Sequence, residues 1–274
     1  MTKHTNTQLI DMFLGHQRGR SFSEFTVRRR RSSLANLARW IAPLGFADVD
    51  TDTIEDWVAS LNAPRTRHAY QSDACAFYAW AVRRQVLASN PAADADSVRV
   101  PKGIPRPVPA DAVRFIIASA PDRDLRVGLA LAAFAGQRRS EIVALQSDDV
   151  SLISRPPILT VRNGKWNKDR QVPIHPELVR LLGRRQVQGQ VVRLTADTFG
   201  RRAADHIRRC GYDFSVHSLR ATFATELARI TDGNVLLVAR LLGHESMQTA
   251  IGYIGLAGYA GAERVNDMYG DDAA

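Results

Sequence analysis

The stretch AGQRRSE at positions 135–141 is the first of five short strings, all in the second half of the chain, that decide how the sequence is interpreted. The others follow in order as GKWNK at 164–168, HSLR at 217–220, LGH at 242–244 and a tyrosine at 253. They supply two guanidiniums, an ammonium, two imidazoles and a phenol, from Arg138, Lys165, His217, Arg220, His244 and Tyr253. This set contains the groups that a tyrosine needs to attack a DNA phosphodiester.

The two arginines suit the electrostatic part of such a reaction. A guanidinium stays charged and can bond two non-bridging phosphate oxygens at once, so Arg138 and Arg220 could neutralise a pentavalent phosphorus without a metal. His217 and Arg220 are three residues apart at the start of a predicted helix, and we expect them to share one face. Glu141 follows Arg138 on a predicted helix, where it could form a local ion pair or orient a catalytic group.

The other groups could transfer protons. Imidazole changes charge near neutral pH, so His217 could accept the tyrosine proton or bond a phosphate oxygen, and His244 could donate to another oxygen. A flexible ammonium in a loop between two predicted strands could protonate the departing 5′-hydroxyl. Both Lys165 and Lys168 lie in that loop.

At these residues the chain resembles the tyrosine recombinase (phage integrase) family. The family pattern is G-x-R-x-S-E, a lysine in a tight hairpin, H-x-L-R, L-G-H and a tyrosine nine residues later, and all five elements occur here in order. The resemblance implies a two-domain clamp, with a helical core-binding domain and an α+β catalytic domain, and gives Glu141 a buried supporting role. It implies cleavage through a 3′-phosphotyrosine without a cofactor or metal. Gln137 and Ala221 depart from the common leucine and histidine, and neither removes a catalytic group.

The resemblance also selects among neighbouring residues. The family's lysine directly follows the glycine, which favours Lys165 as the acid and leaves Lys168 as a contact to the DNA backbone. The nine-residue interval favours Tyr253 as the nucleophile over the nearby Tyr259 and Tyr269.

Composition points to an anionic partner. The chain has 274 residues, of which 45% are hydrophobic, and a formal net charge of +9. This length suits two cores, and the charge favours nucleic acid as the partner. Cys75 and Cys210 have neither disulfide nor metal-ligand spacing, which indicates a reducing compartment. There is no apolar run long enough to span a membrane and no signal-peptide pattern, so we expect a cytoplasmic, nucleoid-associated bacterial protein with no membrane partner.

Residues 1–97 predict a helical, core-type DNA-binding domain. Apolar residues recur at three- and four-residue spacing through four helices, of which the second covers 23–41 and the third is capped by Thr51 or Asp52. Pro64 opens the fourth. The basic residues that we consider candidates for DNA binding, here and farther along the chain, are Arg28, Arg29, Arg30, Arg31, Arg65, Arg67, Lys102, Arg106, Arg139 and Lys168.

A basic, proline-rich stretch at 98–109 predicts an extended linker, because each proline restricts its predecessor to extended conformations. Beyond it, residues 110–274 predict a catalytic domain that is mainly helical. Two strands, at 158–162 and 171–174, flank the lysine loop and predict a small antiparallel β-sheet. The predicted fold class is therefore mainly α, with a small sheet in the second domain.

The last segments predict a helix end and a tail. Gly243 is expected to end a helix in the left-handed conformation, directly before His244. A short helix is expected at 246–251. The helical spacing of apolar residues at 256–268 predicts a C-terminal tail helix, which could pack on its own domain or exchange into a neighbouring protomer.

Four functions remain open at this point. The leading hypothesis is a site-specific DNA recombinase (integrase) that acts as a tetramer on double-stranded attachment sites, for integration or excision of a phage or another mobile element. An Xer-type dimer resolvase is the second. A type IB topoisomerase-like enzyme would use a similar residue set. A non-catalytic DNA-binding protein would be expected to have lost members of the set, which is intact here.

Overall fold

The structure is a computed structural model that describes residues 4–100, 108–162, 169–183 and 188–243. The chain divides into two compact units, Met1–Lys102 and Gly103–Ala274. Most of the predicted linker, the lysine loop, the predicted helix at 246–251 and the tail helix lie outside the described residues. Within the described ranges, no helix is both long and apolar enough to cross a membrane.

Helices dominate the first unit. Their apolar faces meet in one core, which includes the fully buried side chains of Phe13, Leu34, Trp57 and Phe77. The spacing of these residues places each on the inner face of a different helix. The four helices are α1 (Asn6–Gly19), α2 (Glu24–Trp40), α3 (Thr51–Ser60) and α4 (Pro64–Arg83).

The cap of α3 differs from the prediction. Asp50 caps this helix, since its carboxylate accepts a hydrogen bond from the Thr53 backbone N–H at 2.8 Å. Thr51 and Asp52, which the sequence favoured, already belong to the helix. A cap residue must have non-helical backbone angles, and Asp50 is extended with φ −103° and ψ 179°.

The second unit is helical with a small sheet, which confirms the predicted fold class. Its helices are α5 (Ala110–Ala118), α6 (Arg123–Ala135), α7 (Arg139–Ala144), α8 (Pro176–Gly183), α9 (Ala196–Arg209), α10 (Val216–Ile230) and α11 (Val235–Leu242). Its three antiparallel strands lie in the order β1 (Val150–Ser151), β2 (Ile158–Val161) and β3 (Arg170–Pro173), with Val161 opposite Arg170. Strand β1 was not predicted, because two residues carry no periodicity.

Helix α6 is the centre of the second unit, and it ends where the candidate active site begins. It packs against α5, α8, α9 and α10. Gly136 ends α6 in the left-handed conformation, with φ 59°. A Cβ added to Gly136 would lie 2.5 Å from the Phe223 ring and 2.8 Å from the Leu242 side chain. The close approach of α10 and α11 therefore requires glycine where the chain turns from α6 toward Arg138.

We expect Gly136→Ala to lower the free energy of unfolding of the second unit by about 2–4 kcal/mol, because alanine adds both backbone strain and a collision. Urea unfolding followed by circular dichroism measures this loss. Gly15→Ala is the matched control: Gly15 is exposed inside α1, with no atom within 4 Å of an added Cβ. That change should raise stability by about 0.5–1 kcal/mol through helix propensity. Equal effects of the two changes would contradict this account of α6.

Candidate active site

Glu141 is the centre of a cluster of arginines. Arg138 directly precedes α7, with extended backbone angles, rather than lying on the helix as predicted. Glu141 in the first turn accepts from the Arg138 backbone N–H at 2.8 Å and from its Nη1 at 2.7 Å. The Glu141 side chain is only 6% exposed. The carboxylate therefore fixes both the main chain and the guanidinium of Arg138, at a helix N-terminus where negative charge is favourable.

Arg170 binds the same carboxylate from the sheet. Its Nη1 donates to Glu141 Oε1 at 3.0 Å and its Nη2 to Oε2 at 2.7 Å, which makes a two-pronged ion pair. The Arg170 side chain is 8% exposed. Sequence reasoning missed this residue. The available signal was its position two residues before the buried Val172, because alternation along a strand places both side chains on one face.

Arg220 also approaches Glu141. It comes from the first turns of α10, and its side chain is 3% exposed. Its Nη1 donates to the Gly136 carbonyl and lies 3.9 Å from Glu141 Oε2, while its Nη2 donates to the Leu242 carbonyl at 2.7 Å. The structure therefore brings Arg138, Glu141 and Arg220 together, although they lie up to 82 positions apart in the sequence.

The three arginines also bind three successive carbonyls at the end of α11. Arg170 Nε donates to the Leu241 oxygen at 2.9 Å, Arg220 Nη2 to the Leu242 oxygen, and Arg138 Nη2 to the Gly243 oxygen at 2.9 Å. The last carbonyls of a helix lack partners within the helix and carry partial negative charge, so guanidiniums are favourable there. Gly243 is left-handed with φ 63°, as predicted, and it precedes His244.

The arginines keep Glu141 ionised. Burial would raise the pKa of this carboxyl group. The hydrogen bonds and charge of Arg170, together with the backbone N–H and guanidinium of Arg138, outweigh burial and lower the pKa to about 2. The cluster is therefore a buried carboxylate surrounded by an excess of positive charge, which is an environment suited to a phosphate oxygen.

Arg138 is the most accessible of these arginines, with 27% of its side chain exposed. Among the described residues, its contacts with Glu141 and Gly243 use two of the five N–H groups of the guanidinium, which leaves donors for a ligand. An open cleft of about 640 Å³ beside Glu141 is lined by Ser140, Thr160 and Arg162, among others. In the part of the chain that the structure describes, no cluster of three or more His, Cys, Asp or Glu side chains could hold a metal ion.

The remaining candidates of the catalytic set divide into two groups. His217 is exposed in the first turn of α10, and Ser215 caps this helix. It lies three residues before Arg220 on the same helix, but His217 is exposed whereas Arg220 is buried. Lys165, His244 and Tyr253, together with the alternatives Lys168, Tyr259 and Tyr269, lie outside the described residues.

Several arginines of the predicted DNA-binding set make contacts within the first unit. The buried Asp73 of α4 accepts from Arg29 at 2.6 Å and lies 3.5 Å from Arg30. The guanidinium of Arg30 also lies over the ring of Phe22, 4.8 Å from its centroid. Arg31 pairs with Asp11, Arg67 donates to the Leu61 and Ala59 carbonyls, and Arg28 and Arg65 are exposed. Arg30 therefore contributes to packing, whereas its neighbours on α2 are exposed.

Arg139 of the second unit is exposed and extends along α9. Its Nη2 lies 3.7 Å from Asp197, and its guanidinium covers Gly200, where an added Cβ would be 2.6 Å from Nη1. The other three candidates, Lys102, Arg106 and Lys168, lie outside the described residues.

We expect Glu141→Gln to reduce stability in a pH-dependent way. The pKa of Glu141 in the folded chain is below its ordinary value of 4.5, so its contribution is complete above about pH 4.5 and is lost as the pH falls toward 2. The difference in unfolding free energy between wild type and variant should be about 3 kcal/mol at pH 6 and should shrink as the pH falls below 4.5. Urea unfolding from pH 6 to 3 measures it, and a constant difference would contradict the assigned pKa.

Comparison with known proteins identifies the family of the chain. The model of the phage integrase family matches residues 110–258. Tyrosine recombinase XerD of Pseudomonas putida is 29% identical in an alignment that covers 88% of this chain and 90% of the relative.

Solved structures have the same fold. A lambda integrase dimer bound to a COC′ core site matches with a TM-score of 0.74 and 18% identity, over 92% of this chain and 77% of that one. The integrase of the Tn1549 transposon, in complex with a circular intermediate DNA, matches with a TM-score of 0.73 and 16% identity, over 97% and 100%. The chain belongs to the phage integrase family of tyrosine recombinases, and it is an enzyme that breaks and rejoins DNA strands.

Proposed function

We propose that this recombinase cuts one strand of a specific DNA site with Tyr253 and passes the 3′-phosphate to a partner duplex. The Tyr253 oxygen attacks the phosphorus, the bond to the 5′-oxygen breaks, and that oxygen takes up a proton. The 5′-hydroxyl of the partner then attacks the phosphotyrosine and releases the phenol. Each step exchanges one phosphodiester for another, so no external energy source is needed.

The convergence of Arg138 and Arg220 on Glu141 is the observation that supports this proposal most strongly. The 3.9 Å between Arg220 Nη1 and Glu141 Oε2, with the 2.7 Å contact from Arg138, puts two guanidiniums around one carboxylate. We assign these arginines to the non-bridging oxygens, because a planar fork can bond two oxygens at once. This role does not depend on how protons move.

The proton transfers are assigned to side chains around this pair. We assign His217 to the tyrosine proton or a phosphate oxygen, and His244 to a second oxygen. Lys165, in the segment between β2 and β3, is the proposed acid for the departing 5′-oxygen. Glu141 supports the site and is not the acid, because the pKa of about 2 keeps it ionised at neutral pH.

Double-stranded DNA is the proposed partner, bound by a homotetramer in which the C-terminal tail helix packs on its own domain or passes between protomers. The net charge of +9 and the exposed arginines Arg28, Arg65 and Arg139 support DNA binding. The lambda integrase match is a dimer on a core site, and a second lambda integrase structure is a tetramer on a Holliday junction. A DNA-bound enzyme of this kind would act in the cytoplasm, at the nucleoid.

Integration or excision of a phage or another mobile element is the proposed biological role. The likeness to the lambda and Tn1549 integrases supports it. The 29% identity to a XerD recombinase over most of both chains supports a second candidate, an Xer-type resolvase that separates chromosome dimers. Deleting the gene distinguishes them: filamentous cells with unresolved chromosomes indicate a resolvase, whereas loss of excision of a flanking element indicates an integrase.

We expect wild type to form a covalent complex with a nicked suicide substrate that carries its site, and Tyr253→Phe to form none. The site is first selected from random duplexes by binding, and the complex is detected on a denaturing gel. Tyr212→Phe is the matched control, because Tyr212 lies in the same unit and stacks on Phe214 rather than lying in the cluster. A covalent band that survives in Tyr253→Phe would move the nucleophile elsewhere. No band on specifically bound DNA would favour a binding-only protein.

Exchange between two sites separates a recombinase from a topoisomerase. We expect a plasmid with two copies of the site to recombine, and a supercoiled plasmid without the site to stay supercoiled. Relaxation of the site-free plasmid by wild type, and not by Tyr253→Phe, would support the type IB topoisomerase reading instead.

A further inference from the structure

We infer that Arg170 is a positioning residue of the active site, which holds Glu141 and the end of α11 in one arrangement with the start of β3. This inference rests on the proposed function for its catalytic consequence. Its structural content, that Arg170 fixes these three segments, can be tested without DNA.

One guanidinium makes all of these contacts. Arg170 uses Nη1 and Nη2 for the Glu141 carboxylate and Nε for the Leu241 carbonyl, with distances of 3.0, 2.7 and 2.9 Å. It is the first residue of β3 and lies opposite Val161, the last residue of β2. The segment that carries Lys165 therefore begins and ends at this pair. Arg170 joins three parts of the chain that each lead to a proposed catalytic residue.

The geometry requires arginine. Two parallel N–H groups match the two carboxylate oxygens, and a third N–H on Nε points toward α11. Lysine keeps the charge but presents a single ammonium, which cannot reproduce the paired contacts. Glycine also leaves room for the guanidinium, since a Cβ on Gly243 would lie only 3.0 Å from Arg170 Nη1. Gly243 therefore serves both the helix end and the close approach of Arg170.

Loss of the two-pronged ion pair between Arg170 and Glu141 would act on the reaction through Glu141. This carboxylate holds the main chain and the guanidinium of Arg138, so a Glu141 that shifts would shift Arg138 with it. The end of α11 would also lose one of its three arginine contacts, directly before His244. A misplacement of about 1 Å in a catalytic group can cost about 100-fold in rate. DNA binding through distant phosphate contacts would be unaffected.

Arg170→Lys tests the inference against Arg180→Lys, a matched control in which an exposed arginine of α8 pairs with Glu177. Hydrogen exchange without DNA measures the opening of the end of α11. Single-turnover cleavage of the suicide substrate at saturating protein measures the chemical step, and gel-shift titration measures DNA affinity. We expect faster exchange at 239–243 but not in α8, cleavage slowed about 100-fold, and unchanged affinity. We expect Arg180→Lys to match wild type in all three.

The outcomes are distinct. Unchanged exchange at 239–243 in Arg170→Lys would overturn the inference whatever the cleavage rate. Faster exchange with wild-type cleavage would overturn the catalytic part. If wild type itself forms no covalent complex, the proposed function fails, while the exchange measurement still decides whether Arg170 holds the end of α11.

A double variant guards against a folding defect. Arg170→Gln leaves Arg138 as the remaining guanidinium hydrogen-bonded to the buried Glu141, so that change alone could destabilise the unit. Arg170→Gln combined with Glu141→Gln removes the whole pair and should cost less stability than the sum of the two single changes, because each single change leaves a buried charge with fewer partners. We expect the double variant to remain slow in cleavage although it is folded. Wild-type cleavage by this folded double variant would contradict a positioning role.

Discussion

The buried carboxylate of Glu141 is the constraint on which the site depends. A charge with 6% exposure is tolerated in a protein interior only when it is paired and fully hydrogen-bonded, and here Arg138 and Arg170 supply four contacts to it. Its negative charge in turn allows guanidiniums that would otherwise repel one another to lie close together. The interaction thus gathers the positive charge that phosphoryl transfer requires, while the carboxylate itself stays ionised at neutral pH.

The carbonyl groups at the end of α11 are the second set of partners for these arginines. Three arginines from three separate parts of the chain bind the carbonyls of Leu241, Leu242 and Gly243. A helix terminus normally leaves these groups to solvent or to a local cap. Binding them with the same arginines that surround Glu141 couples the segment before His244 to the groups that we propose bind the phosphate. Pairing each guanidinium with both a carboxylate and a carbonyl, or with two carbonyls, restricts its orientation before any ligand arrives.

The sequence was most informative about features that depend on residues close together in the chain. The helix end at Gly243 follows from glycine after an apolar run, and the strings around Arg138 and Arg220 could be recognised without coordinates. Arg170 could not, because its partner Glu141 lies 29 positions away and a single arginine in a strand ordinarily predicts an exposed side chain. The first unit shows the same limit. The run of four arginines on α2 was predicted to supply candidates for DNA binding, but Asp73 of another helix lies 3.5 Å from Arg30, which contributes to packing.

The most direct test of the account is a crystal structure of the protein trapped in covalent complex with DNA on the suicide substrate. The account predicts that Tyr253 is bonded to the 3′-phosphate, with Arg138 and Arg220 on its non-bridging oxygens. Arg170 should remain on Glu141 and on the Leu241 carbonyl, away from the phosphate. A phosphate bound by Arg170 itself, or one that lies away from both Arg138 and Arg220, would contradict the central claim.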